Sequence, residues 1–240
     1  MSRFDRIDTS GVWIVVPAFN EAQVVGEVVA DLRSAFTNVV CVDDGSDDTT
    51  GEAARLAGAH VVRHPVNLGQ GAAIQTGVEY ARRQPGAAVF ATFDADGQHR
   101  VADVGAMVRR LSGGDAGGGA VDVVLGTRFG AAGDNRTPRL KRLILRTAAR
   151  LSPSSRRLGL TDAHNGLRVF NRVVADNLSL TMSGMSHAGE FLALIDENRW
   201  RVAEYPVEIL YTEYSVAKGQ PLLNGVNIVV DGFLRGRMRR

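Results

Sequence analysis

The spacing of apolar residues changes period repeatedly along the first half of the chain, and each change marks an element. Residues 12–16 are a continuous apolar, β-branched run ending at Pro17, the pattern of a short strand buried on both faces. Over 21–36 the apolar positions Val24, Val25, Val28, Val29 and Leu32 recur at helical spacing. The alternation continues with a strand over 39–42, a helix over 49–57, a strand over 59–62, a helix over 71–83, a strand over 87–93, a helix over 101–111 and a strand over 121–125. Strands alternating with helices predict an α/β domain with a mostly parallel sheet and helices on both faces. The glycine-rich stretch 113–119 predicts a surface loop. Beyond it the pattern predicts a helix over 139–151, extended chain over 164–170, a helix over 187–198, extended chain over 202–211 and a helix over 220–234. No internal repeat interrupts this. The expected organisation is a polar arm over 1–11, one domain over 12–219, and an amphipathic helix with a basic tail over 220–240.

Parallel sheets bind ligands beyond the carboxyl ends of their strands. Those ends carry Asn20 and Glu21, Asp43 and Asp44, Asp94 and Asp96, and Arg128. One polar residue after a strand means little; acidic residues repeated at several strand ends predict a shared site. Composition adds limits. Of 240 residues 45% are hydrophobic and 22% charged, as in ordinary globular domains, and a net charge of +2 argues against nucleic acid. The charge is unevenly placed. No acidic residue occurs over 135–161, where Arg136, Arg139, Lys141, Arg142, Arg146, Arg150, Arg156 and Arg157 fall, and the chain ends in Arg235, Arg237, Arg239 and Arg240. Both clusters predict anionic partners. Cys41 is the only cysteine, which suits a reducing, cytoplasmic compartment. No signal-peptide core is expected at the N-terminus, and no apolar run reaches the roughly 18 residues of a membrane span.

The most informative motif is Asp94-Ala95-Asp96-Gly97-Gln98-His99, directly after an apolar strand. Two carboxylates one residue apart and an amide two further on suit a hard divalent cation, Mg²⁺ or Mn²⁺, that keeps positions open for phosphate oxygens. Such an ion neutralises a nucleotide diphosphate as a leaving group. The bland alternative is an exposed acidic turn. Asp43-Asp44-Gly45-Ser46-Asp47-Asp48-Thr49 ends the second strand; Asp44 there can accept from a nucleobase or ribose, or the segment can serve as a turn with Asp48 or Thr49 capping the next helix. Pro17-Ala18-Phe19-Asn20-Glu21 lacks the glycine turn of dinucleotide folds, which argues against a Rossmann oxidoreductase. Asn67-Leu68-Gly69-Gln70-Gly71 lacks the Lys-Ser/Thr pair of a P-loop and reads as a close-approach loop of low specificity.

These segments, with Gly126-Thr127-Arg128-Phe129, occur in an order and spacing that resemble the inverting glycosyltransferases of the GT-A fold, glycosyltransferase family 2. The resemblance is greatest to the dolichol-phosphate mannosyltransferase and polyprenyl-phosphate glycosyltransferase branch. It is strong over 12–129 and weaker to about 219. It implies a single GT-A (Rossmann-like) domain using a nucleotide-diphosphate sugar, GDP-mannose or a UDP-sugar. Pro17, Phe19, Glu21, Val42 and Asp44 would line the nucleoside pocket, with Phe19 where the branch usually has Tyr. Asp94 and Ala95 would contact the nucleotide sugar, Asp96 and Gln98 would hold the metal, and Arg128 would meet phosphate oxygens. Asp162 and Arg168, in the segment 161–168, match the branch's acceptor side, where a hairpin turn at Asn165-Gly166 is the plain alternative. Glu190 matches a family acidic position, and Lys218 matches a lysine that contacts the donor diphosphate. The chain departs from the branch at Thr212, where an arginine is usual, and in losing the Gly-Glu-Ser-Lys reading around Lys218.

The expected reaction is metal-dependent, inverting sugar transfer to a polyprenyl or dolichyl phosphate. A phosphate acceptor is already ionised and needs no strong base. The alternative acceptor, a hydroxyl of a lipid-linked saccharide or other glycan, needs one, with Glu190 or Asp162 as candidates. An alternative of another class is a non-catalytic nucleotide-binding protein, against which the intact Asp94, Asp96 and Gln98 argue. A lipid acceptor requires a membrane surface. Leu140, Leu143, Ile144, Ala148 and Leu151 share helical spacing amid basic residues, and Leu222, Leu223, Val226, Val229, Val230, Phe233 and Leu234 make a second apolar face. Basic amphipathic helices of this kind lie in the headgroup region of anionic membranes, although such helices commonly pack on a sheet instead. Peripheral attachment to the inner face of the membrane, directly or through a membrane protein partner, is the expected location.

Overall fold

A computed structural model describes residues 8–113, 119–129, 153–162, 165–182 and 186–210. The expectations for the arm before residue 8, the glycine loop, the helices over 139–151 and 220–234, the basic residues they carry, and the segment around Lys218 lie outside the described residues. Seven strands form one sheet: β1 (Val12–Ala18), β2 (Asn38–Asp43), β3 (His60–Arg63), β4 (Val89–Thr92), β5 (Val123–Thr127), β6 (Arg168–Asn171) and β7 (Val202–Pro206). Their order is β3-β2-β1-β4-β6-β5-β7. All neighbours pair in parallel except β6, which runs antiparallel to both β4 and β5. The helices are α1 (Val25–Ala35), α2 (Thr50–Leu56), α3 (Gln70–Arg82), α4 (Val101–Leu111), α5 (Pro153–Arg157), α6 (Arg172–Asn177) and α7 (Ser186–Asn198).

β1 is buried along its whole length, which is why its sequence is an unbroken apolar run. Alternate residues feed two cores. Val12, Ile14 and Val16 join Val25, Val29 and Leu32 of α1 and Val104 and Met107 of α4. Trp13 and Val15 join Ile74 and Val78 of α3, Phe170 of β6, and Phe191 and Ile195 of α7. Each such side chain contributes roughly 1.5–3 kcal/mol when fully buried. α3 lies close on the sheet because Gly77 has no side chain: a Cβ there would sit 3.2 Å from Cγ2 of Val42 and press on Val15.

Three differences from the sequence pattern have local causes. The first helix starts at Val25 rather than at residue 21. The chain before it is stitched to the β2–α2 loop: Asn20 N–H donates to Ser46 Oγ at 3.0 Å, Glu21 N–H to Thr50 Oγ1 at 2.8 Å and Ala22 N–H to Asp48 Oδ2 at 3.2 Å. Asn20 also takes φ 54°, which breaks the helical path. Of the extended segment expected over 164–170, the described residues 165–167 are irregular, Asn165 Oδ1 accepting from Leu167 N–H, and the strand begins at Arg168. α6 follows it directly, capped by the Asn171 side chain, which accepts from Val174 N–H at 3.1 Å, an N-cap signal present in the sequence.

Candidate active site

The carboxyl ends of β1, β2, β4 and β5 open on one edge of the sheet. Because β6 is antiparallel, its amino end lies at that edge, with Arg168 opposite Thr92 of β4 and Leu125 of β5. Thr92 Oγ1 donates to Gly166 C=O at 2.6 Å, and Gly126 N–H to Leu167 C=O at 2.9 Å. The loop after β4 and the segment before β6 are therefore in contact. A Cβ on Gly166 would lie 2.7 Å from both Cγ and Oδ1 of Asp94 and closer still to Oδ2.

Asp94 lies at this edge with its side chain 28% exposed. Gln70 Nε2 donates to its Oδ1 at 3.0 Å, and His99 Nε2 meets Oδ2 at 3.1 Å. Burial opposes its charge, but the His99 hydrogen bond and the charges of His99, Arg168 and His187 prevail and lower its pKa. Ala95 is buried. Gly97 turns the chain at φ 73°, so that Gln98 N–H returns to Asp96 Oδ1 at 3.0 Å. Asp96 is pushed up to about 6 by burial, by the Asp94 charge beside it and by Glu21, against the Gln98 N–H and the His99 charge. Its ionised form is thus held in an unfavourable place that a cation relieves. Among the described residues no three His, Cys, Asp or Glu side chains close on one point. One carboxylate and one amide oxygen, from Asp96 and Gln98, fit a hard cation that takes its other ligands from phosphate and water.

The residues expected around a nucleoside surround the ends of β1 and β2. Phe19 is 40% exposed and Glu21 partly exposed. Pro17 and Val42 are buried register partners, with Val42 against α3. Asp44 is buried and busy: it accepts from Leu68 N–H at 2.9 Å and Gly69 N–H at 2.7 Å, and His64 Nδ1 lies 2.7 Å from its Oδ1. His64 Nε2 in turn meets Thr76 Oγ1 at 2.9 Å. Asp48 works as a local brace, taking Thr50 N–H at 3.0 Å.

Arg128 and Asp162 form one unit. The arginine fork donates through Nε at 2.6 Å and Nη2 at 2.7 Å, and Arg128 N–H reaches the same carboxylate at 3.1 Å. Glu204 accepts from Asp162 N–H at 2.9 Å and Thr161 N–H at 2.8 Å, anchoring the pair to β7. Arg168 is 3% exposed, its guanidinium carbon is 4.9 Å from the centre of the Phe191 ring, and its Nη1 has no hydrogen-bond partner. Burial pulls it down to about 10, with the Asp94 charge opposing, so it stays cationic at neutral pH. Asn165-Gly166 is not a hairpin joining adjacent strands: Asn165 Oδ1 accepts from Leu167 N–H at 2.9 Å and Gly166 packs on Asp94. Glu190 braces the chain before α7, accepting from Thr181 N–H at 3.0 Å, Met182 N–H at 2.9 Å and the Thr181 hydroxyl at 2.6 Å. Lys218, Ala163 and His164 lie outside the described residues.

The structure thus gathers Glu21, Asp94, Asp96 and Arg168, and pairs Arg128 with Asp162. It adds Gln70, His99 and His64, to which the sequence assigned no role, and gives Gly166 a packing role in place of the hairpin turn. Gln70, His99 and Gly166 lie inside segments already singled out; nothing local marks His64.

Comparison with known proteins identifies the family. The family model described as Glycosyl transferase family 2 matches residues 13–179. An uncharacterized protein of Methanocaldococcus jannaschii is 31% identical over 232 residues, 95% of this chain and 93% of the relative. The UDP-N-acetylglucosamine–dolichyl-phosphate N-acetylglucosaminyltransferase of Methanococcus voltae is 27% identical over 90% of this chain and 92% of its own. The crystal structure of glucosyl-3-phosphoglycerate synthase from Mycobacterium tuberculosis, in complex with Mn²⁺, UDP and glucosyl-3-phosphoglycerate, has the same fold, with a TM-score of 0.66 at 19% identity over 94% of this chain and 79% of that one. The motif order, the sheet and the matched family model agree: this chain belongs to glycosyl transferase family 2 and is a glycosyltransferase.

Proposed function

We propose that this enzyme moves a sugar from a nucleotide-diphosphate sugar to the phosphate of a polyprenyl lipid. The observation that carries the reading is a sheet edge with two electrostatic halves: the acidic group Asp94, Asp96 and Glu21, and beside it the buried Arg168 with Nη1 unpartnered. The acidic half suits a cation–diphosphate, and the arginine suits a second anion. The Methanococcus voltae relative, whose name states a dolichyl-phosphate acceptor, spans nearly the whole chain and supports the same acceptor class. In this reading Pro17, Phe19, Glu21, Val42 and Asp44 surround the nucleoside, and Asp94 and Ala95 contact the sugar. Asp96 and Gln98 hold Mg²⁺ or Mn²⁺, which when bound supplies Lewis-acid stabilisation of the diphosphate. Arg128 and Lys218 draw off its charge, and Arg168 receives the acceptor phosphate, with Asp162 holding Arg128 at the acceptor side.

An acceptor phosphate oxygen attacks the anomeric carbon from the face opposite the diphosphate. The new carbon–oxygen bond forms as the bond to the diphosphate breaks, the electron pair leaves with the diphosphate, and the anomeric configuration inverts. No proton moves, because the phosphate is already ionised. The two carboxylates that could serve a hydroxyl acceptor favour this assignment by being occupied: Glu190 by Thr181 and Met182, and Asp162 by Arg128. Among the described residues no helix is long and apolar enough to cross a membrane. Peripheral attachment at the inner membrane face, through the basic clusters or a membrane protein partner, brings the site to its lipid.

The test is a panel of nucleotide sugars with Mg²⁺ or Mn²⁺ and polyprenyl phosphate in detergent. Formation of a polyprenyl-phosphate sugar with release of the nucleoside diphosphate is expected. Transfer confined to saccharide hydroxyls, or metal-independent nucleotide binding without turnover of any donor, refutes the reading.

A further inference from the structure

One short piece of chain ties two acidic strand ends together. At the end of β2, the Asp44 carboxylate accepts from the backbone N–H groups of Leu68 and Gly69. Gly69 then takes φ 94°, which a side chain would strain. α3 begins immediately at Gln70, whose side chain reaches the end of β4 and donates to Asp94 Oδ1 at 3.0 Å. The other oxygen of Asp94 is met by His99, which is buried edge-on against Phe93. The ionised Asp94 carboxylate can only accept, so Nε2, the atom facing it, is assigned the proton; His99 Nδ1 has no hydrogen-bond partner. Behind the carboxylate, Gly166 leaves no room for an added carbon. Each Asp94 oxygen therefore has one donor, the donors come from different elements, and backbone fills the space behind.

We infer that Gln70 and His99 are positioning residues: a two-point clamp that sets the plane of the Asp94 carboxylate, so that its remaining lone pairs face the donor sugar's hydroxyl groups. This rests on the reading above in which Asp94 contacts the nucleotide sugar. A carboxylate has about four acceptor positions; the clamp occupies one on each oxygen and leaves the others, in a fixed plane, for the donor. An unclamped carboxylate turns about its last torsion and presents its lone pairs over a range of directions. The clamp also explains the segment Asn67-Leu68-Gly69-Gln70-Gly71, since Asp44 fixes its backbone so that Gln70 can fix Asp94.

The experiment compares Gln70→Leu and His99→Leu, which remove the donors, with Gln70→Lys and His99→Gln, which keep an N–H of similar reach. For each, kcat and the KM of donor and acceptor are measured with polyprenyl phosphate, the most active nucleotide sugar of the panel and saturating Mn²⁺, beside the urea midpoint. Donor kcat/KM is expected to fall about tenfold or more in each Leu variant, with acceptor KM within about twofold of the parent and most of the loss recovered in the Lys and Gln variants. Leu variants that keep donor kcat/KM within about threefold of the parent overturn the inference. So do folded Lys and Gln variants no better than Leu, or losses shared equally by donor and acceptor. ¹⁵N spectra of the His99 ring in the ligand-free parent give a readout independent of activity and of variant folding: a proton on Nε2 is expected, and a ring protonated only on Nδ1 overturns the clamp. A parent inactive with every donor overturns the functional reading as well, whereas an active parent with unaffected variants overturns the clamp alone.

Discussion

Gly166→Ala is the sharpest steric test of the site. The added methyl carbon would stand 2.7 Å from Cγ and Oδ1 of Asp94 and nearer still to Oδ2, where a carbon–oxygen contact needs roughly 3.4 Å. One group must move by on the order of 1 Å. The backbone around Gly166 is anchored to the sheet, by the Thr92 hydroxyl on its carbonyl and by Gly126 N–H on Leu167 C=O, so the carboxylate yields. Turning about its last torsion does not help, because both oxygens and the carbon between them are in reach. Asp94 then loses the Gln70 and His99 hydrogen bonds, worth about 1 kcal/mol each, on top of an overpacking cost of about 1–3 kcal/mol. A loss of about 3–5 kcal/mol in urea unfolding follows. A misplacement of about 1 Å lowers kcat/KM on the order of 100-fold. Gly166 does not have a positive φ, so alanine fits its backbone and the effect is one of space. The control is Gly189→Ala in α7, where a Cβ meets nothing within 4 Å; it is expected to be neutral or up to about 1 kcal/mol stabilising. A Gly166→Ala protein with kcat/KM within about threefold of the parent and an unchanged urea midpoint refutes the reasoning.

Two further outcomes follow from titration. Asp96 is raised from 3.8 to about 6, so folding favours its protonated form; the associated stability is full below the unfolded pKa and is lost as pH rises through about 6. In metal-free buffer containing EDTA at pH 7.5, Asp96→Asn should therefore raise stability by up to about 3 kcal/mol, and in EDTA-free buffer it should abolish stabilisation by added Mn²⁺; a destabilised variant at that pH without metal contradicts the crowding of Asp94, Asp96 and Glu21. The Cys41 thiol is pushed up to about 12 by burial and by the nearby Asp43 charge, so maleimide should label it at pH 8 only in denaturant, and rapid labelling of the native protein, followed by mass spectrometry, would show that β2 is not packed as described.

The strands β1 to β5 and the helices α1 to α4 were legible because their signals are local. A strand covered on both faces needs an unbroken apolar run, a helix against a sheet needs one apolar stripe, and Val12–Ala18 and Val101–Leu111 show these patterns without help from distant residues. The loop from Asp94 to His99 was legible for the same reason: a strand must end before it, and its carboxylates are close in sequence. The contacts of Glu190 were not, since a carboxylate filled by Thr181 and Met182 looks like any other glutamate on a helix.

What the amino-acid order determined alone was the alternation of elements, the edge of the sheet on which the acidic strand ends gather, and the acidic loop that lies there. Tertiary structure decided the direction of β6, because a four-residue strand carries no mark of which neighbours it will pair with or in which sense. That one direction brings Arg168 beside Asp94 and Gly166 behind it. The Arg128–Asp162 and Gln70–Asp94 contacts likewise join residues 34 and 24 positions apart. Burial, which pushes Arg168 down, and burial with the Asp94 charge, which push Asp96 up, exist only once those distant groups share a space from which water is largely excluded.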